Sequence, residues 1–420
     1  MFRLKNSHLP FLMWLLPLLF FTYQFILRLW PGLMMEQFSI GASQFGVLAA
    51  LYYYGYSGMQ IPIAVMLERF NARYIVFIFA VLCGLASLLF SYTNNWYLAC
   101  LSRLLIGVGS AAGFLTVSKV ISEWFPQNQY SKMIGFSFTL GLLGAIYGGK
   151  PISLLVTHYD WQTVALTLSL IAIMLGAAAY SFLRSPKSET QTTENVEQFK
   201  LTYFKSLLSM PTIWLLAFAN FLMVGSLEGF ADVWGVPYLM TAFSIEKTNA
   251  AELISFIFVG MLFGGPLLAF LSKKFGNYWV LGFCGSGMAM VFLFLLSSHQ
   301  YNWYLLAALF LTIGILCCYQ VIVFAAGADL VHSKLRGVTI AFLNCINMLG
   351  GSFFHTKIGH AMDASWMGNF NSEGVRLYTL ESFKASLGII PHCALLGSLM
   401  MGLIGLSLYY RRDIYHLQKL

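Results

Sequence analysis

Charge is what this sequence has least of. Asp, Glu, Lys and Arg together make up 10% of its 420 residues, where a soluble domain carries about 25%. Apolar residues reach 59%, more than a water-soluble globule can bury, which excludes a soluble enzyme. The low charge comes with abundant Phe (37) and Tyr (22), and that pairing excludes a disordered chain. No glycine-rich phosphate loop, nucleotide motif, catalytic triad, CxxC pair or Cys/His ligand spacing is present, so the sequence predicts no ATP-driven pump, no metal, no cofactor and no enzyme. The seven cysteines (Cys83, Cys100, Cys284, Cys317, Cys318, Cys345 and Cys393) all fall inside apolar runs and read as small apolar residues. Those runs last about 20 residues, whereas barrel strands alternate over about 10. An all-α, polytopic membrane protein remains. The basic and apolar start of the chain lacks a small-residue cleavage site, so it reads as an uncleaved first span. No Asn-x-Ser/Thr sequon occurs, which with the short loops suits a bacterial inner membrane.

Twelve apolar segments are long enough to cross the bilayer as helices. They cover residues 10–34, 43–66, 74–92, 96–121, 131–154, 161–183, 211–239, 249–271, 277–297, 302–328, 336–360 and 386–410. The polar stretch Arg184–Ser209 divides them six and six. The expected organisation is a six-helix bundle at 1–184, a cytoplasmic linker at 185–210 and a second six-helix bundle at 211–420. The net charge of +8 is loop charge. With the N-terminus inside, 16 Lys and Arg face the cytoplasm and 6 face out, with Arg103 and Lys119 inside the fourth span. That bias predicts cytoplasmic termini and no nucleic-acid partner. The long loop 361–389 is a candidate for a short surface helix. Arg69 and Arg73 follow span 2 as Lys273 and Lys274 follow span 8, and duplicated bundles of this kind build a site at the repeat interface in many secondary transporters.

Three sequence features resemble the major facilitator superfamily. Ala64-Val-Met-Leu-Glu68-Arg69-Phe-Asn71-Ala-Arg73 is similar to its loop motif Gly-x-x-x-Asp-Arg-x-Gly-Arg-Arg, with Asn71 in place of a glycine. Asn tolerates the left-handed conformation best among non-glycine residues, so Asn71 is expected to adopt it. The second copy, Ala269–Gly276, has Lys273 and Lys274 where the acid and Arg belong. Arg103-Leu-Leu-Ile-Gly107-Val-Gly109-Ser-Ala111 resembles the fourth-helix motif. The resemblance implies twelve transmembrane helices in two pseudo-symmetric six-helix bundles, working as a monomer. Span 5 carries Gly141, Gly144, Gly148 and Gly149 followed by Lys150-Pro151, without the Gly-Pro of drug antiporters. Tyr52-Tyr53-Tyr54-Gly-Tyr56 with Gln60-Ile-Pro62, and Trp234-Gly-Val-Pro-Tyr238, look like a branch that includes lysosomal dipeptide transporters.

A charge in the hydrocarbon costs at least about 2.5–3.5 kcal/mol, so each one needs a reason. Arg28, with Gln24 one turn earlier, offers a fork for a carboxylate or phosphate; snorkelling to the headgroups is the alternative. Glu228 and Asp232 stand at i, i+4 in span 7, in line with Asn220, and two like charges so close favour a shared proton. Proton coupling is assigned to Glu228, Asp232, Arg103 and His355, although Arg103 also reads as a helix brace, His355 as a packing residue and Lys119 as a snorkelling cation. Tyr53, Tyr56 and Gln60 in span 2, Tyr319 and Gln320 in span 10, and Asn344 and Asn347 in span 11 complete the candidate substrate-binding set, because amides facing lipid would go unsatisfied. Glu68, Arg69 and Arg73 are the expected cytoplasmic gate. A cation facing acids suits a zwitterion such as an amino acid or short peptide, taken up with protons. The alternatives are an organic-anion, metabolite or siderophore carrier or exporter, or a non-transporting sensor on the same scaffold.

Overall fold

The computed structural model describes residues 8–26, 29–186, 207–297, 301–332, 335–372 and 374–417. Arg28 and most of the expected linker lie outside them. Among the described residues the chain is helical, with one isolated bridge between Phe370 and Arg376. The helices in chain order are α1 (Leu9–Gln24), α2 (Pro31–Phe38), α3 (Ala42–Arg69), α4 (Ala72–Tyr92), α5 (Trp96–Ser110), α6 (Ala112–Trp124), α7 (Gln127–Tyr147), α8 (Lys150–His158) and α9 (Trp161–Phe182). After the linker come α10 (Pro211–Met223), α11 (Gly235–Phe243), α12 (Lys247–Phe275), α13 (Asn277–Ser297), α14 (Trp303–Cys317), α15 (Tyr319–Asp329), α16 (Arg336–Ala364), α17 (Leu380–Leu387) and α18 (Ile389–Leu417). Among the described residues ten helical runs are long and apolar enough to span a membrane, so the protein is an integral multi-pass membrane protein. Several of these runs join two labelled helices, as α5 and α6 do across Ala111.

Two of the expected spans differ from these ten. The first breaks after Gln24, and Pro31 opens α2 as its first helical residue, where its missing N–H costs nothing. The second is α3, whose tyrosines, glycines and Gln60 dilute its hydropathy. The fifth span also breaks, at Gly148–Gly149, before Lys150-Pro151 starts α8.

Polar side chains set several helix starts. Asn95 accepts from the N–H groups of Tyr97 (2.9 Å) and Leu98 (3.2 Å), and Asn302 accepts from Leu305 (2.8 Å). Such caps satisfy N–H groups that have no partner within the helix. Asp160 caps α9, and its hydrogen bonds from Thr163 hold its carboxyl below the ordinary range. That cap is in place above the usual carboxylate pKa and is lost as the pH falls through the depressed value. Asn71 caps α4. Its φ is −64°, not left-handed, and its side chain accepts from the Arg73 N–H at 3.1 Å. Capping replaces the conformation expected from the motif. In the second copy, Gly276 does take a positive φ of 88°.

The chain forms two compact units, Met1–Leu29 with Leu51–Lys200, and Trp30–Ala50 with Leu201–Leu420. Helix α3 thus begins in the second unit and continues in the first. In the first unit Leu18, Phe21, Val117, Ile121, Phe125 and Met133 form a buried cluster. There α3 and α5 cross at glycines: a Cβ on Gly107 would overlap the Tyr52 carbonyl, and one on Gly55 the Leu104 carbonyl. In the second unit α12 and α14 cross likewise, Gly260 against the Leu311 carbonyl and Gly314 against that of Ile257. Phe230, Phe292 and Phe310 pack ring on ring beside them, with centroids 5.1 and 5.9 Å apart. The long loop carries the expected short helix, α17, but Phe383 and Leu387 bury one face of it, so it packs rather than floats.

Candidate functional site

In the first unit the site grows from the α3–α5 crossing. Because the backbones touch at Gly107, the side chain one turn earlier, Arg103, reaches the Tyr52 ring. Its guanidinium carbon lies 4.9 Å from the ring centroid, and the residue is 5% exposed. The Tyr56 ring stacks on Tyr52 at 6.0 Å, and the Tyr53 ring meets it edge-on at 5.3 Å. Next to them Cys83 Sγ lies 3.7 Å from Ser110 Oγ. A cation on an aromatic face inside low dielectric is worth about 2 kcal/mol. Tyr52→Leu is therefore expected to lower the Tm in detergent by several degrees, while Tyr52→Phe, which keeps the ring, stays near the parent; equal losses in both would show that the ring face contributes nothing. Gln24 closes α1 at 6% exposure, with Oε1 unpartnered and close to Gly113. Gln60 is 3% exposed with Nε2 unpartnered, and Tyr53 is buried.

In the second unit the span that opens with α10 does not stay α-helical. A 3-10 turn, Val224–Ser226, leads into a π-helix over Leu227–Trp234 before α11 begins. Phe354 on α16 packs closely against this stretch: the ring occupies the space a Cβ on Gly225 would need, and its own Cβ lies 3.0 Å from where one on Gly229 would stand. π-helical turns are rare and concentrate at functional sites. This one carries both acids. Asp232 Oδ2 stands 3.4 Å from His355 Nε2 on α16; the His355 side chain is fully buried and that of Asp232 is 28% exposed. Glu228 is half-buried and acts electrostatically on Cys317 and Tyr319.

Eight residues before Glu228, Asn220 ties three helices together. Its Nδ2 donates to the Leu343 carbonyl (3.3 Å), and its carbonyl accepts from the Tyr319 hydroxyl (3.2 Å). Asn347 is fully buried with both side-chain polar atoms unpartnered, as are Asn220 Oδ1 and Gln320 Nε2. Asn344 is half-buried. Buried amides left without partners are uncommon in native folds.

The structure thus gathers Asn220, Tyr319, Glu228, Asp232 and His355 within the second unit, and Arg103 and Tyr56 within the first. Tyr52 was missed by the sequence reading, which followed the Tyr53–Tyr56–Gln60 face; the i, i+4 spacing of Tyr52 and Tyr56 was its only signal. Glu68 and Arg69 are exposed at the end of α3, while Arg73 lies over the rings of Tyr74 (4.5 Å) and Tyr180 (5.9 Å). Lys119 pairs with Glu123 at 3.3 Å on the surface of α6. All seven cysteines are free thiols, and among the described residues no group of three or more His, Cys, Asp or Glu could hold a metal.

Many apolar spans in two helical units, with acids set in an interrupted span, are the features of a membrane transporter rather than an enzyme. The chain belongs to the Major Facilitator Superfamily, whose model matches residues 12–355. A probable hexose phosphate transport protein of Chlamydia pneumoniae is 22% identical over 361 residues, 78% of this chain and 79% of that protein. The membrane sensor protein UhpC of Escherichia coli is 21% identical over 355 residues, 79% of this chain and 80% of that one. Over shorter stretches the chain spans 37% of an uncharacterized transporter and 60% of the hexuronate transporter of Bacillus subtilis, at 23% and 22% identity. Among solved structures, an inward-facing bacterial homolog of the human lysosomal transporter Spinster superposes with a TM-score of 0.72 at 15% identity, covering 95% of each chain. The nucleoside transporter NupG superposes with a TM-score of 0.71 at 12% identity, covering 95% of this chain and 99% of that one. These structural likenesses show the fold.

Proposed function

We propose that this protein is a secondary active carrier that moves a small carboxylate-bearing solute together with protons by alternating access. The observation that carries the reading is the Asp232–His355 pair, held at 3.4 Å in the π-helical part of span 7. A carboxylate facing a buried imidazole can pass a proton between its two members, which is what coupling to a proton gradient demands. The half-buried acid Glu228 and the open amides of Asn220 and Asn347 lie in the second unit, and the fixed cation Arg103 lies in the first. A chain that carries both signs within its apolar spans suits a zwitterion, an amino acid or short peptide, whose amine Glu228 would attract. Arg28 adds a second cation by sequence. A second reading, an organic-anion carrier, is favoured by the names of relatives: a hexuronate transporter, a probable L-galactonate transporter and a probable sulfoacetate transporter. In either case we place the protein as a monomer in a bacterial inner membrane with both termini cytoplasmic, its halves being residues 1–184 and 211–420 joined by 185–210.

Uptake by proteoliposomes, acidified outside, tests this with radiolabelled amino acids, dipeptides, hexuronates, galactonate, phosphorylated sugars and lipophilic cations. Accumulation of a carboxylate-bearing solute with proton entry is the expected result. Competition by acids that lack an amine selects the second reading. Flux of cationic solutes alone, or tight binding with no flux, would overturn the proposal in favour of an exporter or a sensor.

A further inference from the structure

Helix α3 starts without a cap of its own. The residue before Ala42 is Gly41, which has no side chain to offer, yet the first N–H groups of a helix need acceptors and favour negative charge. The acceptor comes from a residue far along the chain. Asp363, near the end of α16, accepts from the backbone N–H of Ala42 (3.2 Å) and of Ser43 (2.9 Å). The same carboxylate accepts from Arg376 Nη1 (3.0 Å) and from the Tyr378 hydroxyl (2.5 Å), both on the loop that follows α16. Tyr378 Oη itself accepts from the Ala42 N–H at 2.8 Å. Burial, and then its hydrogen bond to Asp363, pushes the Tyr378 phenol above its ordinary range, so it remains a donor. Arg376 is held from its other side by Trp366, 4.5 Å from the ring centroid. Ser43 Oγ lies 2.6 Å from His360 Nδ1.

The absence of a side chain at Gly41 is what lets this arrangement close. A Cβ there would stand 2.7 Å from Asp363 Oδ2 and 2.9 Å from Arg376 Nη1. Further along α3 the contact with α16 stays backbone-close. Gly46 lies against the His355 carbonyl, Gly359 against the Ala42 carbonyl, and Ser352 Oγ donates to the Ala50 carbonyl at 3.2 Å. All of these groups lie within the second unit, and at Leu51 α3 passes into the first.

We propose that Asp363 is the catch of a latch: with Arg376 and Tyr378 it clamps the first turn of α3 to α16, and breaking this clamp is the step that lets the α3–α16 seam open during transport. One carboxylate carries four charge-assisted hydrogen bonds at a single point, so the seam opens as a unit rather than by fraying. The catch sits at the free end of a seam that is otherwise glycine-smooth, where a small loss of contact has the longest lever. The latch rests on the alternating-access reading. Its test, however, measures helix movement with no solute present, so a failed flux assay and a failed latch are separate results.

The probe is Ser352→Cys, a near-isosteric change at a residue 1% exposed beneath α3. The purified full chain in detergent is treated with a fluorescent maleimide, and labelling of the native thiols is subtracted using the parent chain. Asp363→Asn and Asp363→Ala are expected to raise the initial labelling rate at position 352 at least about tenfold, which corresponds to about 1.4 kcal/mol in the opening equilibrium. Tyr378→Phe and Arg376→Gln are expected to give smaller increases. Gly41→Ala, which drives a methyl group into the carboxylate, acts on the latch with Asp363 itself unchanged in sequence and is expected to move the rate the same way. If Asp363→Ala fails to fold, Asp363→Asn and Gly41→Ala decide. Unchanged labelling in those two variants, with elution profile and Tm retained, would overturn the latch.

Discussion

Asp232→Asn is expected to abolish accumulation of solute driven by a proton gradient, while solute exchange without a gradient continues at about the parent rate. One pH unit across the membrane is worth about 1.4 kcal/mol per proton, or about a tenfold concentration ratio for a carrier that moves one proton per solute. The variant keeps the size and hydrogen-bonding reach of the side chain but cannot exchange a proton, so its accumulation ratio falls to about one. His355→Asn removes the partner that faces the carboxylate at 3.4 Å and is expected to slow the coupled step without erasing exchange. Glu228→Gln is the companion measurement. If it removes accumulation while Asp232→Asn keeps the tenfold ratio, the proton rides on Glu228 and the pair with His355 is structural. If both variants accumulate as the parent does, neither acid carries the proton and the coupling proposal fails.

Gly107→Val is expected to remove the folded protein almost entirely, with the monodisperse peak after detergent extraction at least about tenfold smaller. The side chain would enter the space of the Tyr52 backbone carbonyl, and a backbone cannot swing aside as a flexible side chain does. Overpacking ordinarily costs about 1–3 kcal/mol and more where the obstacle is rigid. Small residues at helix crossings are what permit such close approach within a membrane. Gly58, on the partner helix α3, is the control, because a Cβ there meets nothing within 4 Å. Gly58→Ala is expected to be neutral or to stabilise slightly, since alanine loses less backbone freedom in a helix. Equal yields for the two variants would mean that the crossing is looser than its geometry states.

The fold could be read from the sequence because its signal is crude and long. Some 20 consecutive apolar residues mean the same thing wherever they occur, and polar punctuation such as Asn95, Asp160 and Asn302 marks where helices begin. The break in the first span was less visible, since the apolar run passes through Phe25 and Trp30 without pause and only Pro31 announces a new helix. The site was half legible. Charges in apolar runs stand out, so Arg103, Glu228, Asp232 and His355 could be singled out. What could not be seen was who faces whom. Asp232 and His355 are more than a hundred positions apart, and no motif in the sequence announces the π-helix that carries Asp232. Asn71 shows the reverse failure: the motif suggested a conformation, and a competing local hydrogen bond decided otherwise.

The glycine crossings also say something about descent. Arg103 stands four residues before Gly107, and Phe310 stands four residues before Gly314. The same joint was therefore built twice, once in each unit, with a different cargo at the matching place. In the first copy the slot beside the joint holds a permanent cation lying on a tyrosine face. In the second it holds a fully buried phenylalanine packed against Phe230. The mechanical part is the same in both units while the electrical part differs: at this place one unit carries a permanent positive charge and the other an uncharged ring.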